Sequence, residues 1–183
     1  MSDLPTGSVG RLAFRRALDH PELLAPPVSA ALSALEDADR VGVAKIDPAV
    51  ADTGAFCERY GVDANESANC VVVAARREGV TSHAACVVLA STRADVNGVV
   101  RRRLNARKVS FAPVQTAVGE TGMEYGGITP VGLPVGWPVL VDEAVARLER
   151  VVVGSGLRTS KLLLPGRLLQ ALPCAEVIEH LGR

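Results

Sequence analysis

Two apolar runs, Cys-Val-Val-Val-Ala-Ala at 70–75 and His-Ala-Ala-Cys-Val-Val-Leu-Ala at 83–90, flank a polar stretch, 76–82, that contains Gly79. Valine-rich runs joined in this way predict an antiparallel β-hairpin. A hairpin in the middle of the chain excludes a purely parallel sheet. Shorter strand signals stand at 41–46, 108–111, 138–141, 150–153, 157–164 and 175–178. Apolar side chains at three- and four-residue spacing predict helices at 9–18 and 28–35, and the three prolines of 20–27 break the chain between them. Asp47-Pro48 opens a helix through Tyr60 that Gly61 closes, and Asp63 to Glu66 has capping-box spacing for one more turn. Further helices are predicted at 95–105, 112–118, 143–148 and 166–171. With no internal repeat, this interleaving predicts one mixed α/β fold.

The 183 residues fit one domain of ordinary size, and 48% hydrophobic content is ample for a core. Twenty basic and twenty acidic side chains cancel. That balance excludes the global basic field of a duplex-coating protein, so any nucleic-acid contact must come from a local patch. Cys57, Cys70, Cys86 and Cys174 form no CxxC pair and have no histidine cluster beside them. Four buried free thiols in a reducing cytosol are therefore expected, with no zinc site and no cofactor. No charged-then-apolar leader opens the chain, and the valine-rich pieces 139–141 and 151–153 are too short to span a bilayer, so a soluble cytoplasmic protein is expected.

Between Gly126 and Pro134 the chain places five glycines or prolines, beginning Gly126-Gly127-Ile128-Thr129-Pro130. Such a turn leaves its N–H groups uncovered by side chains, which suits a small ligand held by backbone. A second turn, Gly154-Ser155-Gly156, follows a valine run. The segment from Gly154 to Lys161 fails the phosphate-binding-loop pattern, since Lys161 follows Ser and precedes Leu. Thr159 stands where a third glycine would complete a dinucleotide fingerprint. Arg101, Arg102, Arg103, Arg107 and Lys108 form the one cationic cluster. Arg103 and Arg107, four apart on the predicted helix, share a face that is either solvated or a landing strip for a phosphate backbone, with Arg150, Arg158 and Lys161 as possible extensions. No serine–histidine–aspartate order or nucleophile elbow is present, and His83 reads as structural. Asp142 reads as a helix N-cap or as part of a pocket rim.

From about residue 44 onward the chain resembles the YbaK family of aminoacyl-tRNA deacylases, which includes the editing domain of bacterial prolyl-tRNA synthetases. The resemblance rests on an ordered series: Tyr60-Gly61-Val62, the 67–73 strand, the basic 95–108 segment, Thr121-Gly122, Gly126 to Pro130, the 138–142 strand and the 151–156 turn. It implies a mixed, largely antiparallel sheet closing toward a barrel with helices outside, and a pocket for the aminoacyl group at the tRNA acceptor end. It implies a domain over 41–183, with 1–40 a helical extension packed on it. The implied reaction is hydrolysis of the ester on mischarged tRNA. In that reading Asn69, Gly126 and Thr129 carry catalysis, while Gly127, Ile128, Pro130, Asp142, Gly154 and Gly156 hold the substrate. Arg101, Arg103, Arg107 and Lys108 meet the tRNA backbone. Two departures stand out: Asn69 occupies the place of a family lysine, and a histidine after the second glycine turn is missing, with Thr159 nearby. Asparagine offers a neutral donor where lysine offers charge. The alternatives are a non-catalytic binder of aminoacyl groups, nucleotides or tRNA, and an unrelated small-molecule hydrolase on the same fold.

Overall fold

The computed structural model describes residues 7–183. The central hairpin is β5 (Ala68–Arg77) and β6 (Val80–Leu89), ten residues each, with Val71 opposite Cys86. Glu78 and Gly79 both take positive φ at the tip, the twist that a two-residue hairpin turn requires. This pair is the centre of a five-stranded sheet in the order β11 (Ala175–Ile178), β8 (Val139–Asp142), β6, β5, β7 (Lys108–Phe111). β8 runs parallel to β6 and to β11, and the other pairs are antiparallel.

A second sheet has the order β3 (Arg15–Arg16), β4 (Gly42–Lys45), β10 (Ser160–Leu164), β9 (Val151–Gly154), all antiparallel. The two sheets meet at a bridge between Ser67 and Val152, where the Val152 N–H also donates to Glu66 O at 2.8 Å. The mixed α/β fold is thus as expected, built as two joined sheets rather than a closed barrel.

Both faces of the four-stranded sheet are covered. Leu162 and Leu164 of β10 join Val41, Val43, Val151 and Val153 in the main core, under α1 (Pro26–Ser33) and against Val87, Val139 and Val141 of the other sheet. Leu163 points the other way, onto Ala44, Ile46, Val152 and Phe56 of α2 (Thr53–Tyr60). Side chains alternate along a strand, so Lys161 shares the Phe56 side with Leu163. A strand covered on both faces has little access to solvent. Lys161 is consequently only 6% exposed.

Several sequence expectations are corrected. The predicted helix at 9–18 is a hairpin of β1 (Ser8–Val9) and β2 (Leu12–Ala13), followed by β3. Its turn places Gly10 at φ +56° against the α2 C-terminus, where a Cβ would lie 2.6 Å from Gly61 O. The segment before residue 41 is therefore strands, short 3-10 turns and one helix, and it supplies Ala17, Leu24, Val28 and Leu32 to the main core. Residues 1–6 of the expected extension lie outside the described residues. The capping-box spacing at 63–66 closes a turn instead of a helix: Asp63 Oδ1 accepts from Asn65 N–H. The predicted 95–105 helix is a π-turn, Val96–Val100, running into the three-residue α3 (Arg101–Arg103), with both Asp95 carboxylate oxygens capping it. The thiols are free, but only Cys86 is buried and Cys174 is exposed.

Candidate active site

A cavity of about 380 Å³ opens where β5 begins, β9 ends and β10 begins. Asp52 and Thr53 at the start of α2 form one side, Tyr125, Gly126 and Ile128 another, and Ala112, Val114 and Ala117 a third. The last three belong to α4 (Val114–Thr121) and the residues leading into it. Phe111 and Tyr125 stand at the mouth and are 66% and 59% exposed. Exposed aromatics are notable in a chain whose aromatic content is 3%.

The glycine loop is held in place by its own backbone. Gly127 N–H donates to Glu124 O (2.9 Å), Gly156 N–H to Gly127 O (2.7 Å), and Glu124 N–H to Gly156 O (2.8 Å). Arg158 adds a clamp: its N–H donates to Glu124 Oε2 (2.6 Å), and its guanidinium donates to Tyr125 O (3.0 Å) and Pro48 O (2.9 Å). The packing is backbone on backbone. A Cβ at Gly127 would lie 2.6 Å from Leu157 O, and one at Gly154 would overlap Gly127 O and lie 2.6 Å from Ile128 O. Among the described residues the N–H groups of Gly126, Ile128 and Thr129 make no hydrogen bond. Of these, Gly126 and Ile128 line the cavity, so two main-chain donors without an internal acceptor are fixed beside it.

Asn69 lies half-buried in the wall, and Thr53 Oγ1 donates to its Oδ1. That bond fixes the amide so that its NH₂ end is left for a ligand. Cys70 beside it is partly exposed as a residue, but desolvation of its sulfur pushes the thiol far up from the ordinary range, which disfavours the thiolate a nucleophile needs. Lys161 reaches the same cavity from β10. Its Nζ donates to Ala51 O at 3.0 Å and sits 5.1 Å from the Phe56 ring centroid. Burial lowers its pKa to about 8, with Cys57 and Asp52 opposing that shift and Arg158 adding to it.

Of the residues expected in the site, Asn69, Gly126, Ile128 and Gly154 line the cavity. Gly127 lies behind it, its N–H committed to the turn. Thr129 is 0% exposed and does not line the cavity, and its hydroxyl is the one buried side-chain polar atom without a partner among the described residues. Pro130 faces a separate hollow that also holds Leu133 and Trp137. Gly156, at φ +84°, packs on Ala25, Val28 and Met123 and supports the loop from outside. Asp142 is an N-cap: Oδ1 accepts from Ala144 N–H (2.8 Å) and Oδ2 from Gly182 N–H, which places it in the framework and not at the rim. His83 is structural, with Nδ1 3.2 Å from Glu120 Oε2 and its ring against Trp137.

The basic residues do not share a helix face, because α3 ends at Arg103. Arg103 is paired with Glu176, and Arg101 Nε donates to Asn97 O (3.0 Å). Arg107 and Lys108 are exposed, and Lys108 starts the strand that ends at Phe111 on the cavity mouth. Three residue steps along the strand separate Lys108 from Phe111 by roughly 10 Å. Thr53, Phe111 and Tyr125 were not anticipated, since nothing in their local spacing marks them. Among the described residues no three His, Cys, Asp or Glu side chains come together as a metal site.

The sequence profile of the aminoacyl-tRNA editing domain matches residues 47–172, more than two thirds of the chain. The chain belongs to the aminoacyl-tRNA editing domain family. The match takes in every cavity residue from Asp52 to Lys161. No curated protein sequence matches the chain. Solved structures share the editing-domain fold. One is described as a candidate trans-editing enzyme for prolyl tRNA synthetase (19% identity, 85% of this chain and 94% of that one, TM-score 0.72). Another comes from epitope backbone grafting onto scaffold proteins by computational design (19% identity, 85% and 95%, TM-score 0.72). A third is the hypothetical protein APE2540 (22% identity, 73% and 85%, TM-score 0.64). No helix among the described residues is long and apolar enough to cross a membrane.

Proposed function

We propose that this editing domain is a freestanding deacylase that hydrolyses the ester of mischarged tRNA in the cytoplasm. The observation that carries the reading is the pair of unpartnered N–H groups at Gly126 and Ile128, on residues that line the cavity and are held by the loop's own backbone bonds. Fixed donors aimed at the ester carbonyl stabilise the charge that develops on its oxygen without a protein nucleophile. Water attacks the carbonyl carbon, helped by the neighbouring ribose hydroxyl. The new C–O bond forms, the ester C–O bond breaks, and the ribose oxygen leaves as a hydroxyl after taking a proton that the water gave up. The Asn69 amide NH₂ orients the ester. Small apolar walls from Ala68, Ala117 and Ile128 select against bulky amino acids by exclusion.

A structural relative is described in connection with prolyl tRNA synthetase, so tRNA for proline charged with alanine or cysteine is the first substrate to test. Expected is release of the amino acid well above the spontaneous rate, with the same tRNA carrying proline left intact. Asn69, neutral where a cation is expected, favours one second reading: a binder of the acceptor end without turnover. Tight binding with no release from any mischarged tRNA would establish that reading and remove the first.

Phe111 and Tyr125 at the mouth suit unpaired bases of the acceptor end, which stack on aromatic faces in a sequence-tolerant way. Phe111→Ala and Tyr125→Ala are each expected to weaken binding of an acceptor-stem hairpin about tenfold, within the range of one base–aromatic stack. Fluorescence anisotropy at fixed salt reads this directly. Arg107→Ala with Lys108→Ala should instead flatten the salt dependence.

A further inference from the structure

We infer that Lys161 supplies the positive charge of this cavity and meets the ester oxygen that becomes anionic during hydrolysis. The inference rests on the deacylase reading and adds to it a cavity residue other than Asn69.

Three placements support it. Lys161 lies directly opposite Gly154 in the β9–β10 pairing, and opposite residues of an antiparallel pair project from the same face. On that face Gly154 abuts the carbonyls of Gly127 and Ile128, so the lysine stem leaves the sheet on the side where the donor loop is anchored. Second, the ammonium is almost wholly buried yet has no carboxylate within 4 Å among the described residues, and Ala51 O takes one of its three donors. Buried charges are ordinarily paired, and this one ends in a ligand-sized cavity with donors to spare. Third, the Phe56 ring and Ala51 carbonyl fix the head group, so it is preorganised before substrate arrives. A buried, oriented cation of this kind stabilises developing negative charge far more than a solvated one.

The test compares two ligands on wild type and Lys161→Met. One is an adenosine bearing an alanyl phosphonate ester, whose tetrahedral anionic oxygen resembles the hydrolysis intermediate. The other is 3′-alanylamido adenosine, which keeps the α-amine but has an uncharged carbonyl oxygen at that position. Expected is a loss of 30-fold or more in phosphonate affinity, with the amide analogue changed less than threefold. Adding Asn69→Lys to the Met variant should restore much of the phosphonate affinity by returning a positive charge to the cavity. Phosphonate affinity in wild type should also fall as pH rises through about 8. Asp52, Cys57 and Arg158 are the other charged or titratable groups acting on Lys161, and they remain in both proteins. Equal losses for both ligands, or none, would overturn the assignment. Binding is read here without turnover, so failure of the charge assignment and failure of the deacylase reading are separate results.

Discussion

Gly154→Ala is expected to lower single-turnover release from mischarged tRNA by 100-fold or more, with acceptor-stem binding nearly unchanged. The methyl group would overlap Gly127 O and come within 2.6 Å of Ile128 O, and both obstacles are backbone. Neither can swing aside as a side-chain end would. The loop must therefore move, and the cavity-lining N–H groups of Gly126 and Ile128 move with it. Removing one oxyanion donor typically costs about 10²–10³ in rate, and a displacement near 1 Å acts similarly. Overpacking adds a stability loss of about 1–3 kcal/mol, so the rate is compared at a temperature where both proteins are folded. Gly119→Ala is the control. Gly119 lies on the exposed side of α4 with nothing within 4 Å of a new Cβ. It should keep full activity and gain about 0.5–1 kcal/mol of stability, because alanine restricts the unfolded chain and favours helix. Wild-type turnover in Gly154→Ala would remove the loop from the mechanism.

The loop was legible from sequence because glycine and proline act locally: Gly127 and Gly154 are needed where backbone approaches closely, and Gly126 where φ is +82°. The hairpin and most flanking strands were legible because runs such as 70–75 have one period and one partner. What was not legible depends on distant packing. Residues 9–18 carry helical spacing, yet Val9, Leu12 and Phe14 join a cluster formed by α2 and the four-stranded sheet, and that burial selects a hairpin. Gly156 and Gly154 look alike in sequence, and only the position of α1 separates a supporting glycine from a cavity-lining one. Asp142 has the residue type of a site and the bonds of a cap. Lys161 shows the difficulty most clearly. Local spacing makes it a failed phosphate-loop lysine or part of a basic patch. The pairing of β10 between β4 and β9 instead buries it and turns it into the cavity.

That burial has a second measurable consequence. In the folded protein Lys161 has a pKa of about 8, below its ordinary 10.5, chiefly through burial. Below pH 8 both folded and unfolded chains hold the proton, and the folded state bears the whole desolvation penalty, on the order of 3 kcal/mol. Between pH 8 and 10.5 the unfolded chain binds a proton that the folded one lacks, so this penalty disappears as pH rises. Methionine fills similar space without charge. Lys161→Met should therefore be more stable than wild type at pH 7, with the gain reduced by the donor lost to Ala51 O. The advantage should shrink by about 2.5 kcal/mol between pH 7 and pH 10. Comparing the two proteins by urea unfolding at each pH cancels every other titrating group common to both. A gap that stays constant with pH would mean that Lys161 is solvated, contrary to its place between Phe56 and the donor loop. A shrinking gap, together with lost phosphonate affinity, would show a residue retained at a stability cost for the charge it brings to the site. A lysine kept only for packing would still show the shrinking gap, because the gap follows from burial, but its replacement by methionine would leave phosphonate affinity unchanged.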